Sequence, residues 1–454
     1  MSLIRYAAAA LAALRLHSIS QPQRPRTASR PAPTPSPTPA RQTASTSSAG
    51  VRRVNAHEFP GDDIGTKINN AAKSLSGAPG EIILSSGGLF KVTAIIPAGC
   101  TLLLKGGVYK SVTPGPLILL NDNAALVGDN YDAVLEESTG DIISPGVSPV
   151  TGRPMHTIVE DLAGATLNGT SCRGIRIEHV HFRGARKDFN SAFQTASLGN
   201  CRNGKAVRNF FDQTRTIALQ IGGGSIMGNY AQDCQLDDNR FVGVASQNLA
   251  VTNGVNISIR RNVCERSGLP GGPGVTCIDV EPNVGDRVEN IVIEANVLDC
   301  RQAAADASGN KVLNGIAINN GNGANPWRNI SVIGNEILGW EWKAGHIMGG
   351  GIGYAGILVR SAVGVVIERN KVTRCSRGIL IDTNSRENRV EQNELLSCGS
   401  GGTGAIEIQD TSTRNVVRNN RLAAIPGDGF EEVAGRIRAS SPGNDIRDNP
   451  GFKN

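Results

Sequence analysis

Two carboxylates stand two residues apart in the segment CIDVE: Asp279 and Glu281. In an extended strand this spacing puts both on one face, with their Cα atoms about 6.6 Å apart. Ile278 and Val280 then point the other way, toward a core. Carboxyl groups roughly 5–9.5 Å apart are the pair that hydrolyses glycosidic bonds, one as acid and one as base or nucleophile. Repulsion between them raises one pKa, as a general acid requires. Asp279 and Glu281 are therefore the acid/base candidates. The plainer reading is a solvated strand face, where charged residues are expected anyway.

Four later segments have the same form: GIAIN, GILVR, GILID and AIEIQ. Alternation sends out Ala317 and Asn319, Leu358 and Arg360, Leu380 and Asp382, and Glu407 and Gln409. Arg360 could hold a uronate or neutralise an enolate formed in β-elimination. Asp382 joins the catalytic candidates. Asn319, Glu407 and Gln409 are candidate substrate contacts. Asp279, Glu281 and Asp382 are hard oxygen donors that could hold Ca²⁺, though no regular calcium-binding repeat is present. A second candidate region is GWEWKAGHIMGGGIGYAG. There Trp342 could stack on a sugar, and Lys343 or His346 could act as a base. His179 and His181 lie two apart on a strand, where outward polar residues are expected.

These residues act together only if something stacks their segments in register. An internal repeat does so. Asparagines recur at Asn209, Asn239, Asn262, Asn296, Asn335, Asn370, Asn393, Asn420 and Asn449, with gaps of 23 to 39 residues. Two residues after the first eight of these asparagines stand Phe211, Phe241, Cys264, Leu298, Ile337, Val372, Leu395 and Leu422. Three residues before the last eight, from Asn239 on, stand Leu236, Ile259, Ile293, Val332, Ile367, Val390, Val417 and Ile446. This alternation marks two strands joined by a bend at the asparagine, and the CIDVE-type segment adds a third. One such coil cannot bury its apolar side alone, so coils must stack, about 4.8 Å apart. Like residues then form columns, and the asparagines form a hydrogen-bonded ladder. Cys375 and Cys398 would be inner neighbours, as reduced small hydrophobes.

Composition agrees. The 454 residues include 55 Gly and 38 Asn, too many poor helix formers for a helical bundle, and lack a collagen triplet period. No run reaches the ~18 apolar residues of a membrane span. The net charge of +6 is not a nucleic-acid footprint. Residues 1–57 hold eight arginines and no Asp, Glu or Lys, which leaves 38 basic against 40 acidic residues in the body. The nine cysteines form no CxxC.

Residues 1–20 read as a signal peptide, with the apolar run Tyr6–Leu14. An Arg-rich organellar presequence and a start codon placed too far upstream fit the same residues. Residues 21–57 read as a Pro/Ser/Thr/Arg-rich linker. Residues 58–454 read as the repeat domain, with an N-terminal cap at 58–110. Export would place the protein in the periplasm, in the envelope or outside the cell.

The repeat, together with GDDIGTKINNAAKSL and GEIILSSGGLFKVTAIIPAGCTLLLKGG, resembles the pectate-lyase-like (pectin lyase fold) superfamily. The resemblance implies an all-β fold, a right-handed parallel β-helix of three-strand coils with an N-terminal capping helix. It also implies a site in a groove outside one parallel sheet. The polygalacturonase pattern Asn-Thr-Asp with a later Ser-His-Gly is absent, as are the lyase pattern Trp-Ile-Asp-His and the epimerase pattern Tyr-Gly-Phe-Asp-Pro-His. The implied function is a polysaccharide lyase or glycoside hydrolase acting on an acidic or plant-type glycan. The alternative is a non-catalytic envelope, adhesion or spike-type protein that binds glycans.

Overall fold

A computed structural model describes residues 51–111, 116–136, 159–161, 171–184, 194–214, 217–222, 230–267, 275–301, 313–339, 355–399, 403–409, 411–428 and 434–452. Among these residues the strands form three sheets, and every strand pair is parallel. Sheet 1 has 16 strands, and sheets 2 and 3 have 12 each. In one coil the chain runs through Val275–Val280 in sheet 3, Val288–Glu294 in sheet 1 and Val297–Asp299 in sheet 2, and then returns to sheet 3 at Leu313–Asn319.

The register follows the columns read in the sequence. The residues two after the ladder asparagine pair in order from Phe211 to Leu422 in sheet 2. Those three before it pair from Leu236 to Ile446 in sheet 1. Phe182 precedes Phe211 in the first column, and its ring stacks on Phe211, which stacks on Phe241, at 4.8 and 4.9 Å between centroids. Nearly all the column residues are buried. The core is thus a tube of stacked rows inside three sheets.

The ladder fixes the corner between sheets 1 and 2. The residue before each ladder asparagine has φ between 53° and 61°, and only Gly334 among the nine is glycine. The left-handed conformation costs a non-glycine residue roughly 1–2 kcal/mol, so the corner needs a compensating interaction. The asparagine supplies it. Asn296 Nδ2 donates to Ile259 O (3.0 Å) and to Asn335 Oδ1 (2.8 Å), while its Oδ1 accepts from the N–H and Nδ2 of Asn262 (both 2.9 Å). The same pattern runs without a break from Asn209 to Asn449. A second, shorter ladder runs Asn388, Asn415, Asn444 at the corner between sheets 3 and 1.

Helix α1 (Ile64–Ser74) starts at Asp63, whose Oδ1 accepts from the N–H groups of Gly65 and Thr66. It buries Ile64, Ile68, Ala71 and Ala72 against Gly80–Leu84, Gly88–Phe90 and Ala94–Ile96. The last two of these are terminal strands of sheets 2 and 3. Sheet 1 begins earlier than the expected domain start at 58, with Arg52–Asn55 paired to Gly80–Leu84. All nine cysteines are buried and unbridged, including Cys375 and Cys398.

Candidate functional site on the outer face of sheet 3

Sheet 3 stacks the CIDVE-type segments in the order the sequence implies. One outward column reads Ala250, Asp279, Ala317, Leu358, Leu380, Glu407, Arg438. In the column beside it Asn319, Arg360 and Asp382 are paired neighbours. Glu281 precedes them, bonded to Asn319.

Asp279 and Glu281 share a face but not an environment. Asp279 is 7% exposed, whereas Glu281 is exposed. Gln247 Nε2 donates to Asp279 Oδ2 at 3.2 Å. Burial, reinforced by the nearby Glu281 charge, pushes the Asp279 carboxyl up to about 7, and the Gln247 hydrogen bond offsets this in part. Asp279 can thus carry a proton near neutral pH. Glu281 accepts from Asn319 Nδ2 at 3.0 Å. A proton-holding carboxyl beside an exposed one is the arrangement that divides acid and base roles.

The other candidates are tied to one another. Arg360 Nε lies 3.8 Å from Asp382 Oδ2. Asp382 is 3% exposed and also accepts from the N–H of Thr383. It sits three coils from Asp279, about 14 Å, so the two cannot share one cation. Among the described residues no group of three His, Cys, Asp or Glu side chains could hold a metal. Glu407 accepts from Arg377 Nε at 2.5 Å and from Gln409 Nε2 at 2.7 Å. Between Asp279 and Glu407 the outward column is apolar, and Ala317, Leu358 and Leu380 form a buried cluster with Ala355. Beyond it lies a groove of about 400 Å³ lined by Glu407, Ile408, Gln409, Arg438, Ala439 and Ser440. Trp342, Lys343 and His346 lie outside the described residues. His181 stacks on Phe210 of sheet 2, at 4.6 Å between centroids, and takes no part in this face.

No known protein family matches the chain, and no curated protein does. Solved structures do. A tailspike protein of E. coli bacteriophage HK620, in complex with a pentasaccharide, is similar over 87% of this chain and 67% of its own, at 14% identity and a TM-score of 0.51. The chain has the right-handed parallel β-helix fold. Further matches include the catalytic unit of an alpha-1,3-glucanase from Streptomyces thermodiastaticus, at 13% identity over 90% of this chain and 71% of its own, TM-score 0.45. An exopolygalacturonase from Thermotoga maritima matches at 13% identity over 82% of this chain and 88% of its own, TM-score 0.43. At such identities the likeness is one of fold alone.

The β-helix brings in residues that sequence alternation missed. Arg377 has the parity of the inward Ile379 and Ile381, yet it pairs with Glu407. An arginine cannot sit unpaired in an apolar core, so its type could have marked the strand start as the point where the wall turns. Gln247 precedes the strand Leu249–Val251 and carried no signal. Arg438 follows Glu407 one coil on in the same column.

Proposed function

We propose that this β-helix is a carbohydrate-active protein that hydrolyses a glycan at Asp279 and Glu281, on the outer face of sheet 3. The observation that supports this most is the buried Asp279 carboxyl, raised by its burial to about 7 beside the exposed Glu281. Asp279 would give its proton to the leaving glycosidic oxygen. Glu281 would act as base or nucleophile at the sugar carbon. The pairing of Arg360 with Asp382 supports hydrolysis over β-elimination, because a cation already matched by a buried carboxylate is less able to neutralise an enolate. Arg360, Asp382, Asn319, Glu407 and Gln409 would then line the path of the glycan, with Trp342, Lys343 and His346 as further contacts. Secretion or envelope location fits this reading.

The test is a polysaccharide panel on the purified chain, with and without Ca²⁺, following new reducing ends and the ultraviolet absorbance of unsaturated uronates. Reducing ends without absorbance, abolished in Asp279→Asn and Glu281→Gln, are expected. Absorbance would make the protein a lyase instead, and full activity in both variants would end the site assignment. A second reading, non-catalytic glycan binding, draws on the ion-paired state of most charges along this face. Retention of a polysaccharide without turnover would establish it.

A further inference from the structure

The Glu281 carboxylate is held by an amide whose direction is itself fixed. Asn319 Oδ1 accepts from the N–H of Gly321 at 3.0 Å. That N–H can only donate, so Oδ1 must face it and Nδ2 must face Glu281 Oε1, 3.0 Å away. The turn that presents the Gly321 N–H is anchored on several sides. Asn320 N–H donates to Arg360 O, Asn320 Oδ1 accepts from the N–H of Ala324, and Asn322 Nδ2 donates to Pro282 O, one residue after Glu281. A β-carbon at position 321 would lie 3.0 Å from Asn319 Oδ1, so alanine there would push the amide oxygen by a few tenths of an ångström.

We propose that Asn319, aimed by Gly321, is the positioning residue that fixes Glu281 by one oxygen and leaves the other for reaction. This rests on the hydrolytic reading above. In the reaction, Glu281 takes a proton from water as the water oxygen bonds to the anomeric carbon. The glycosidic C–O bond breaks, and the leaving oxygen takes the proton of Asp279. Displacement of the Glu281 carboxylate by about 1 Å would spoil that alignment.

The experiment compares wild type with Asn319→Ala, Asn319→Asp and Gly321→Ala, each checked for an unchanged melting temperature. On the best panel substrate, Asn319→Ala is expected to lower kcat roughly 10–100-fold, more than it changes KM. Gly321→Ala, which removes no polar group, is expected to lower kcat in the same direction. Asn319→Asp still accepts from Gly321 but puts a carboxylate against Glu281, so the acid limb of kcat/KM should move to higher pH. A merely structural role would leave that limb in place. A readout independent of turnover is the Asn319 side-chain amide resonance, assigned by its loss in Asn319→Asp. Glu281→Gln should shift it and Asp279→Asn should not. Unchanged kcat and pH profile in an active enzyme overturns the proposal while the hydrolytic reading stands. A silent panel with the amide shift present keeps the contact and overturns its catalytic use. An amide blind to Glu281→Gln overturns the contact itself.

Discussion

Replacing Asn296 with alanine cuts the ladder at its middle. The side chain is fully buried. Its removal leaves the Asn262 N–H without its acceptor and Ile259 O without the amide donor. The Asn262 and Asn335 amides each lose one of several partners and keep others, at Leu236 O and at the Asn296 N–H. One orphaned main-chain N–H at about 1–3 kcal/mol, with a carbonyl reduced to its sheet partner in the next coil, gives a loss of roughly 3 kcal/mol. Asn449 makes the same contacts at the last rung but is 8% exposed, so water can replace part of what is lost. Asn449→Ala should cost only about 1–2 kcal/mol. Urea unfolding at 25 °C, followed by far-ultraviolet circular dichroism, measures both from the midpoint shift at constant slope. Asn296→Asp adds a check of sign. A carboxylate there faces two acceptors, so its folded pKa is raised above the unfolded value. The variant should therefore regain stability as pH falls through the folded value. Equal losses at Asn296 and Asn449, or a loss under about 1 kcal/mol at Asn296, would show that the ladder is ornament to the apolar columns.

The Asp279 carboxyl is raised from an ordinary value of 3.8 to about 7. Wild type should therefore lose stability as pH rises between these values, and Asp279→Asn should recover up to about 4 kcal/mol above pH 7 and nothing below pH 4; melting curves across pH check this. Glu281→Gln should narrow that window by less than half, since burial is the larger cause. Phe211→Ala removes the middle ring of a buried stack and should cost about 3–5 kcal/mol, read by urea unfolding. The nine buried thiols should resist an aromatic disulfide reagent in the native protein and all react in urea. Ile68→Asp should detach α1 from the terminal strands and produce association visible by size exclusion, the outcome expected if the helix caps the stack.

Much of this protein is a property of one repeated offset. Once coils stack at a fixed rise, a residue two after one asparagine must lie over the residue two after the next. The apolar columns and the Asn209–Asn449 ladder were therefore legible without coordinates, as was the shared outward face of Asp279 and Glu281. The ladder Asn388–Asn415–Asn444 obeys the same logic and was overlooked because it sits in turns, where no strand alternation draws the eye. The environment of each outward residue was not legible. Asp279 is buried with Gln247 and Ala317 against it, whereas Glu281 lies just past the end of its strand and is exposed. Arg360 over Asp382 follows from the shared column, but the Arg377–Glu407 pair and the Gly321–Asn319–Glu281 relay depend on where turns of unequal length bring side chains. A period in the sequence encodes which rows stack. Burial and hydrogen-bond direction are set by the space between rows and turns, and only the folded coil defines that space.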